Sequence, residues 1–389
     1  MSPLVPEVIP MIRALIARPS VSCTDPRMDQ SNLEVIHLLA GWLESLGFAV
    51  EVLPVSQNKA NLLARLGGTG EAGEGLVLAG HSDTVPFDEG AWSMDPFAGL
   101  ERDGRLYGLG SCDMKAFFAV AIAAARRFEA KALRHPLTLL ATADEESSMS
   151  GARSLLASQL RPGRYAVIGE PTGMRPVRMH KGVMMESIRI FGHAGHSSDP
   201  SLGANAIEGM QAALRELLAW RQELQARYRN PQFHIPVPTL NLGSIHGGDN
   251  PNRICAHCET QIDIRPLPGM QPQALRDAMA ERLARVVAEY PGLRLEVSPL
   301  FEGLPPFETP ADATLVRSFE ELTGQAAGSV AFGTEAPFLS LLGTETVVWG
   351  PGDIEQAHQP DEFLSLDRIA PTVDLLSRLI QRFCVDVPS

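Results

Sequence analysis

The chain has 389 residues, too many for one core of roughly 100–200 residues, so two domains, or one domain carrying a large insertion, are expected. A content of 44% hydrophobic and 20% charged residues excludes a disordered or fibrous chain. The net charge of −13 repels phosphate backbones and anionic lipid surfaces, so neither nucleic acid nor a membrane is an expected partner.

The first twenty residues have no basic region ahead of an apolar run and no small-residue cleavage site, so they read as the amphipathic first helix of a cytoplasmic protein. Ser31-Asn32-Leu33-Glu34 reads as a capping box, ahead of a helix with Leu33, Ile36, Ala40, Leu43 and Leu46 on one face and Gly47 as its terminator. Apolar runs at 48–53, 60–66 and 76–79 predict strands, followed by a helix over 114–130, a strand at 137–143, a helix at 152–160 and a strand at 165–168. The apolar stretch 116–125 is far short of the roughly 20 residues a membrane span needs. Strands alternating with helices imply a mostly parallel sheet covered by helices, an α/β fold. Five cysteines, thinly spread, outline no disulfide framework.

From Gly182 the pattern changes. A half-exposed strand at 183–191, a charged helix at 205–227, strands at 240–245 and 259–265, a helix at 274–289 and a strand at 293–297 follow the β-α-β-β-α-β order of a ferredoxin-like unit. A helix at 311–322 and segments at 329–332, 337–342, 347–349 and 367–383 then return to α/β alternation. The expected plan is a catalytic domain at 1–182 and 297–389, split by an inserted α+β lid and dimerisation domain at 183–296.

Potential ligands gather at predicted strand ends. His81 and Asp83 follow one strand, Asp144-Glu145-Glu146 a second and Glu170 a third; Asp113 precedes a helix, and His358 lies in a loop past 347–349. In open α/β sheets, ligands bind in the crevice outside the carboxyl ends of the strands, so these positions converge. Two His and three carboxylates are nitrogen and oxygen ligands suited to Zn²⁺, Mn²⁺ or Co²⁺, without the thiolates of structural zinc. One carboxylate bridging two ions, with one His and one further carboxylate on each, would use all of them. Glu145 and Glu146 are neighbours pointing opposite ways, so one can hold metal while the other accepts a proton from water.

Other motifs read more plainly. Gly68-Thr69-Gly70-Glu71-Ala72-Gly73 leads into a strand instead of a helix, so it is a turn and not a dinucleotide site. Cys255 and Cys258 have no second cysteine pair, which leaves strand packing. His193, His234, His246 and His257 receive no role, and the charges at 215–229 read as a solvated face or a dimer seam.

His81-Ser82-Asp83-Thr84-Val85-Pro86, Gly108-Leu109-Gly110-Ser111-Cys112-Asp113-Met114-Lys115, Thr142-Ala143-Asp144-Glu145-Glu146, Gly169-Glu170-Pro171-Thr172 and Gly192-His193-Ala194-Gly195-His196-Ser197-Ser198 resemble, in this order, the di-zinc deacylase and exopeptidase family. Ala116 stands where that family commonly has Gly. The resemblance implies two divalent ions, Zn²⁺ or Co²⁺, with His81 and Glu170 on one, Glu146 and His358 on the other, and Asp113 between them. It also implies Asp83 as the carboxylate orienting His81, Glu145 as general base and then acid, and His196 as the oxyanion donor to the partner subunit of a homodimer. Asn252 and Arg265 would hold the substrate carboxylate, and Gly333-Thr334-Glu335 would lie beside the substrate. Glu335 would meet a side-chain ammonium, or else sit at a helix N-terminus for the sake of the macrodipole. The stretches 239–245, 247–255, 263–269, 333–338 and 356–362 most resemble the branch that deacetylates N2-acetyl-L-ornithine to L-ornithine and acetate. Another N-acyl amino acid such as N-succinyl-diaminopimelate, or a dipeptide, is the alternative substrate. A non-enzymatic relative would have lost a ligand or the base, and here none is lost.

Overall fold

A computed structural model describes residues 5–68 and 73–386, so positions 69–72 of the glycine-rich string lie outside the described residues. The chain forms two compact units. One consists of the chain up to Arg178, Thr309–Gly328 and the chain from Thr334 onward; the other of Met179–Glu308 and Ser329–Gly333.

In the first unit, α1 (Val8–Ile16) and α2 (Leu33–Ser45) precede β1 (Ala49–Pro54), β2 (Ala60–Leu66) and β3 (Leu76–His81). Gly47 ends α2 at φ +86°, a conformation glycine adopts without steric cost, and this lets Phe48 N–H reach the Leu43 carbonyl. The expected capping box does not form. Ser31 accepts from Leu33 N–H, while Asn32 turns inward, bonding both backbone groups of Ala60 and the Ser82 hydroxyl, so a residue suited to a cap ties α2 to the sheet instead. The short hairpin β4 (Leu100–Arg102) and β5 (Arg105–Tyr107) carries too few apolar residues to be seen in the sequence.

The helix α3 (Lys115–Ala125) is buried on nearly all sides, packed on β3 and α1. It stops at Ala125 and not at 130, because Arg126 and Arg127 turn outward to the Pro6 carbonyl and Asp374. Next come β6 (Leu137–Thr142), α4 (Ser150–Ala157), β7 (Tyr165–Ile168) and β8 (Val177–His180).

The second unit holds β9 (Met184–Phe191), α5 (Ala206–Arg227), β10 (Thr239–Gly247), β11 (His257–Arg265), α6 (Pro272–Val287), β12 (Arg294–Pro299) and β13 (Phe307–Glu308). Its antiparallel sheet runs β10-β11-β9-β12. Burial alternates along β11, as it should where one face of a sheet is covered, here by α5 and α6. Asn205 caps α5 by accepting from Ile207 N–H. The charges of α5 are partly engaged, since Glu216 and Glu223 both meet Arg282 of α6. Cys255 and Cys258 are buried and unbridged. The sequence reading bounds the insertion at 183 and 296; β12 reaches Pro299 beside β9, and this unit extends to Glu308.

The chain returns through α7 (Thr314–Thr323), β14 (Gly328–Val330), α8 (Ala336–Leu341), β15 (Glu345–Val348), β16 (Phe363–Ser365) and α9 (Ile369–Ile380). In the first unit β15 enters between β7 and β8, giving the order β1-β2-β6-β3-β7-β15-β8. The strands β6, β3, β7 and β15 are parallel, and β3, β6 and β7 are buried along their whole length, as sheets covered on both faces require. Their carboxyl ends therefore share one edge. Gly169, just past β7, lies so close to Phe117 of α3 that a Cβ there would enter the ring. Among the described residues no helix is long and apolar enough to cross a membrane.

Candidate metal centre

Four strand ends deliver the ligands. His81 is the last residue of β3, Glu146 lies in the turn after β6, Glu170 follows β7, and His358 lies in the loop after β15; Asp113 comes from the turn before α3. His81 Nε2 lies 3.0 Å from Asp113 Oδ1 and 3.9 Å from Glu170 Oε1. His358 Nε2 lies 3.5 Å from Asp113 Oδ2 and 3.1 Å from Glu146 Oε1. Asp113 thus turns one oxygen to each of two triads, and within each triad the donor atoms lie within 4.8 Å of one another. Metal bonds of about 2.0–2.1 Å separate neighbouring donors in a tetrahedron by about 3.3 Å, so each triad is spaced to hold an ion. The donor set, imidazole and carboxylate without thiolate, fits a catalytic divalent cation.

The electrostatics of the cluster call for positive charge. Burial pushes Glu145 and Glu170 well above the usual carboxylate range, reinforced at Glu145 by the Glu170 charge and at Glu170 by the Asp113 charge. Burial acts on Asp113 in the same sense, but its bonds to His358 and His81 outweigh this and hold it below that range. The bond to Asp113 and a second to Glu146 raise His358 to about 10. Burial opposes a charged His81, yet the Asp113 bond and the Glu170 charge raise it well above its ordinary value. The imidazoles supply the charge that the crowded carboxylates need, the part a divalent cation would play.

Behind the ligands, the pattern of support differs from the sequence expectation. His81 Nδ1 meets the Asp83 backbone carbonyl at 3.0 Å, while the Asp83 carboxylate lies 3.7 Å away and accepts instead from Glu146 N–H. Burial raises Asp83 to about 6. The turn carrying Glu145 and Glu146 is held by Asp144, whose backbone is left-handed at φ +56°. Its carboxylate accepts from Ser22 and Ser150 and pairs with buried Lys59, which also pairs with Asp29. Removing Lys59 would leave the Asp144 carboxylate without its charge partner beneath the turn. Sequence reasoning missed Lys59 and Asp29, and no local signal could have found them, since Asp29, Lys59 and Asp144 lie far apart along the chain. It missed Glu362 too, whose carboxylate accepts from Gly110, Cys112 and Asp113 N–H.

Glu335 is only 1% exposed. Its Oε2 accepts from the Thr142 hydroxyl at 2.6 Å and its Oε1 has no hydrogen-bond partner. Burial raises the carboxyl to about 7. It stands at the N-cap position of α8, where the helix-terminus reading places it, although its side chain makes no cap bond. The contact that it does make supports the end of β6, next to the Glu145 turn. Thr334 is buried and accepts from Ala336 N–H.

The second unit carries the remaining expected residues. His196 is exposed, and its Nδ1 accepts from Ser198 N–H at 3.2 Å. A backbone N–H can only donate, so the neutral ring carries its proton on Nε2 and presents a donor. Exposed Asn252 lies in the neighbouring loop, its carbonyl accepting from Ser197 N–H. Arg265, paired with Asp263, lines a cavity of about 510 Å³ with Lys181, Phe233 and Phe332. Gly333 packs so closely on Leu304 that a Cβ would collide with it.

Residues 77–382 match the family described as peptidase family M20/M25/M40. The chain is 52% identical over 383 residues to an acetylornithine deacetylase of Proteus mirabilis, covering 98% of this chain and 97% of that one. It is 53% identical over 387 residues to an acetylornithine deacetylase of Edwardsiella ictaluri, covering 99% and 100%. Among solved structures, the aminopeptidase PepT of Bacillus cereus superposes with a TM-score of 0.74 at 21% identity, covering 96% of this chain and 97% of that one. A dinuclear metal-binding peptidase of Bacillus subtilis superposes with a TM-score of 0.68 at 19% identity, covering 96% of each chain. Sequence match, strand order and the paired triads agree, and the chain belongs to peptidase family M20/M25/M40.

Proposed function

We propose that this chain is a metal-dependent amidohydrolase that removes the acetyl group from N2-acetyl-L-ornithine, yielding L-ornithine and acetate. The observation that carries the reading is the sharing of Asp113 between two triads with Glu145 beside them; the identity to acetylornithine deacetylases supports the substrate. His81 and Glu170 would hold one ion, Glu146 and His358 the other, and Asp113 both, with Zn²⁺ or Co²⁺ suited to the donors. Bound ions would polarise the scissile carbonyl and acidify water. Glu145, beside the two triads, takes the proton from the attacking water and passes it to the leaving nitrogen.

In this reading the second unit serves as lid and dimer interface. His196 of one chain donates from Nε2 to the carbonyl oxygen in the site of its partner, while Asn252, Arg265 and the Gly333-Thr334 turn hold the substrate. Purified protein with added Zn²⁺ or Co²⁺ should hydrolyse N2-acetyl-L-ornithine with a higher kcat/KM than N-succinyl-diaminopimelate, N-acetylmethionine or a dipeptide. Preference for any of these three would overturn the assignment. For the dimer, metal-loaded His196→Ala mixed with Glu145→Gln under subunit exchange should recover activity in hybrids; exchange without recovery would place His196 in its own chain's site.

A further inference from the structure

The loop that carries His358 is bound to the turn that carries Asp113 at Asp353, whose carbonyl accepts from the Cys112 thiol, and above all at Glu362, which makes most of the bonds. Glu362 stands four residues after His358, fully buried. Its Oε1 accepts from Cys112 N–H at 2.7 Å, Asp113 N–H at 3.0 Å and Gly110 N–H at 3.1 Å. Its own carbonyl accepts from Gly108 N–H at 2.9 Å and from the Ser111 hydroxyl at 3.3 Å. Five donors between 108 and 113 therefore converge on a single residue. A buried carboxylate is tolerated only where bonds replace its hydration, so this residue is costly to bury unless the turn is held in this form.

Upstream of His358 the loop is held at Asp353, which pairs with Arg368. Both His358 and Asp361 are left-handed, at φ +60° and +57°, conformations that cost non-glycine residues energy unless their surroundings impose them. Asp361 is anchored outward, accepting from Ser93 N–H and its hydroxyl, and Glu362 is anchored inward. Of the Asp113–Glu146–His358 triad, two members thus depend on Glu362: His358 because it rides on the same loop, Asp113 because its backbone N–H is bonded to it.

We propose that Glu362 is a positioning residue for the metal centre, which registers the His358 loop against Asp113 and thereby sets the affinity of the outer ion. The proposal rests on the two-ion reading above. Cobalt binding separates them, followed by calorimetry and by visible absorption, with wild type, Glu362→Leu and Glu362→Gln compared. Glu345→Gln, which weakens a half-buried acceptor of Leu315 N–H remote from the ligand set, is the structural control.

Wild type should take up two Co²⁺. Glu362→Leu should bind the second equivalent about 10–100-fold more weakly, with an altered d–d spectrum for that ion, and Glu362→Gln, which keeps one oxygen, should lose less. Glu345→Gln should lower the unfolding temperature and leave both affinities unchanged. If Glu362→Leu does not fold, the test passes to Glu362→Gln, expected near the lower end of that range. A second equivalent bound with wild-type affinity and spectrum by the folded variant would reduce Glu362 to a stabilising residue and overturn the proposal. A wild type that binds fewer than two ions would overturn the two-ion reading, and this inference with it.

Discussion

The two triads that share Asp113 are built differently. His81, Asp113 and Glu170 are all buried, and two of them sit at the ends of β3 and β7, adjacent parallel strands whose backbones are set by ladder hydrogen bonds. The other triad opens to solvent at His358, whose side chain is 52% exposed, and its remaining two positions belong to turns. Those turns are held by side chains: Asp144 with Lys59 for Glu146, Glu362 for Asp113 and His358. One half of the centre takes its rigidity from main-chain pairing and the other from clamps. Main-chain pairing depends little on any single residue, whereas a clamp fails when one side chain is changed. The outer position should accordingly be the more exchangeable one.

The largest expected effect comes from removing what the halves share. Asp113→Ala should hold neither ion, by elemental analysis, and lose activity by more than roughly 10⁴-fold, because both Lewis acidity and water activation go with the ions. Retention of one ion per chain would show that the triads are not joined through this residue. Next comes the pair of neighbours. Glu145→Gln should keep both ions and lose roughly 10²–10⁴-fold in kcat, while Glu146→Gln should lose the outer ion; a metal-free Glu145→Gln protein would exchange their roles.

Chelation sharpens the contrast without mutation. Limiting chelator should remove the ions in two phases, and His358→Ala should retain one ion per chain, the buried one. A single phase in wild type would erase the distinction between the halves. The smallest effect is expected at Glu335. Because it braces Thr142, Glu335→Gln should lower turnover of N2-acetyl-L-ornithine and of N-acetylmethionine by the same factor of a few. A rise in KM for the ornithine substrate alone would instead make the side-chain ammonium its partner.

Much of the fold was legible because its signals are local. The runs that became β2, β3, β6 and β7 are short and mostly apolar, which marks strands covered on both faces, and the period-two pattern of β11 marks a sheet covered on one. The ligand candidates were legible as well, since His and carboxylates immediately after such runs fall on one edge of a parallel sheet. The supports were not legible. Asn32 looks like part of a cap and serves as a tie to Ala60 and Ser82; Glu335 does stand at a helix terminus, but nothing local shows that its side chain is buried against Thr142.

By itself, then, the sequence determined the alternation of strands and helices, the change of pattern after Gly182, and the identity and order of the residues able to bind metal. These depend on periodicity and on side-chain chemistry, both of which can be read a few residues at a time. Only the tertiary structure decided which oxygen of Asp113 faces which histidine, and that Lys59, Asp144 and Glu362 hold the turns. Such contacts join positions far apart along the chain, and their partners are selected by burial: a charged or polar group taken out of water must find whichever donor or acceptor the folded backbone brings within reach.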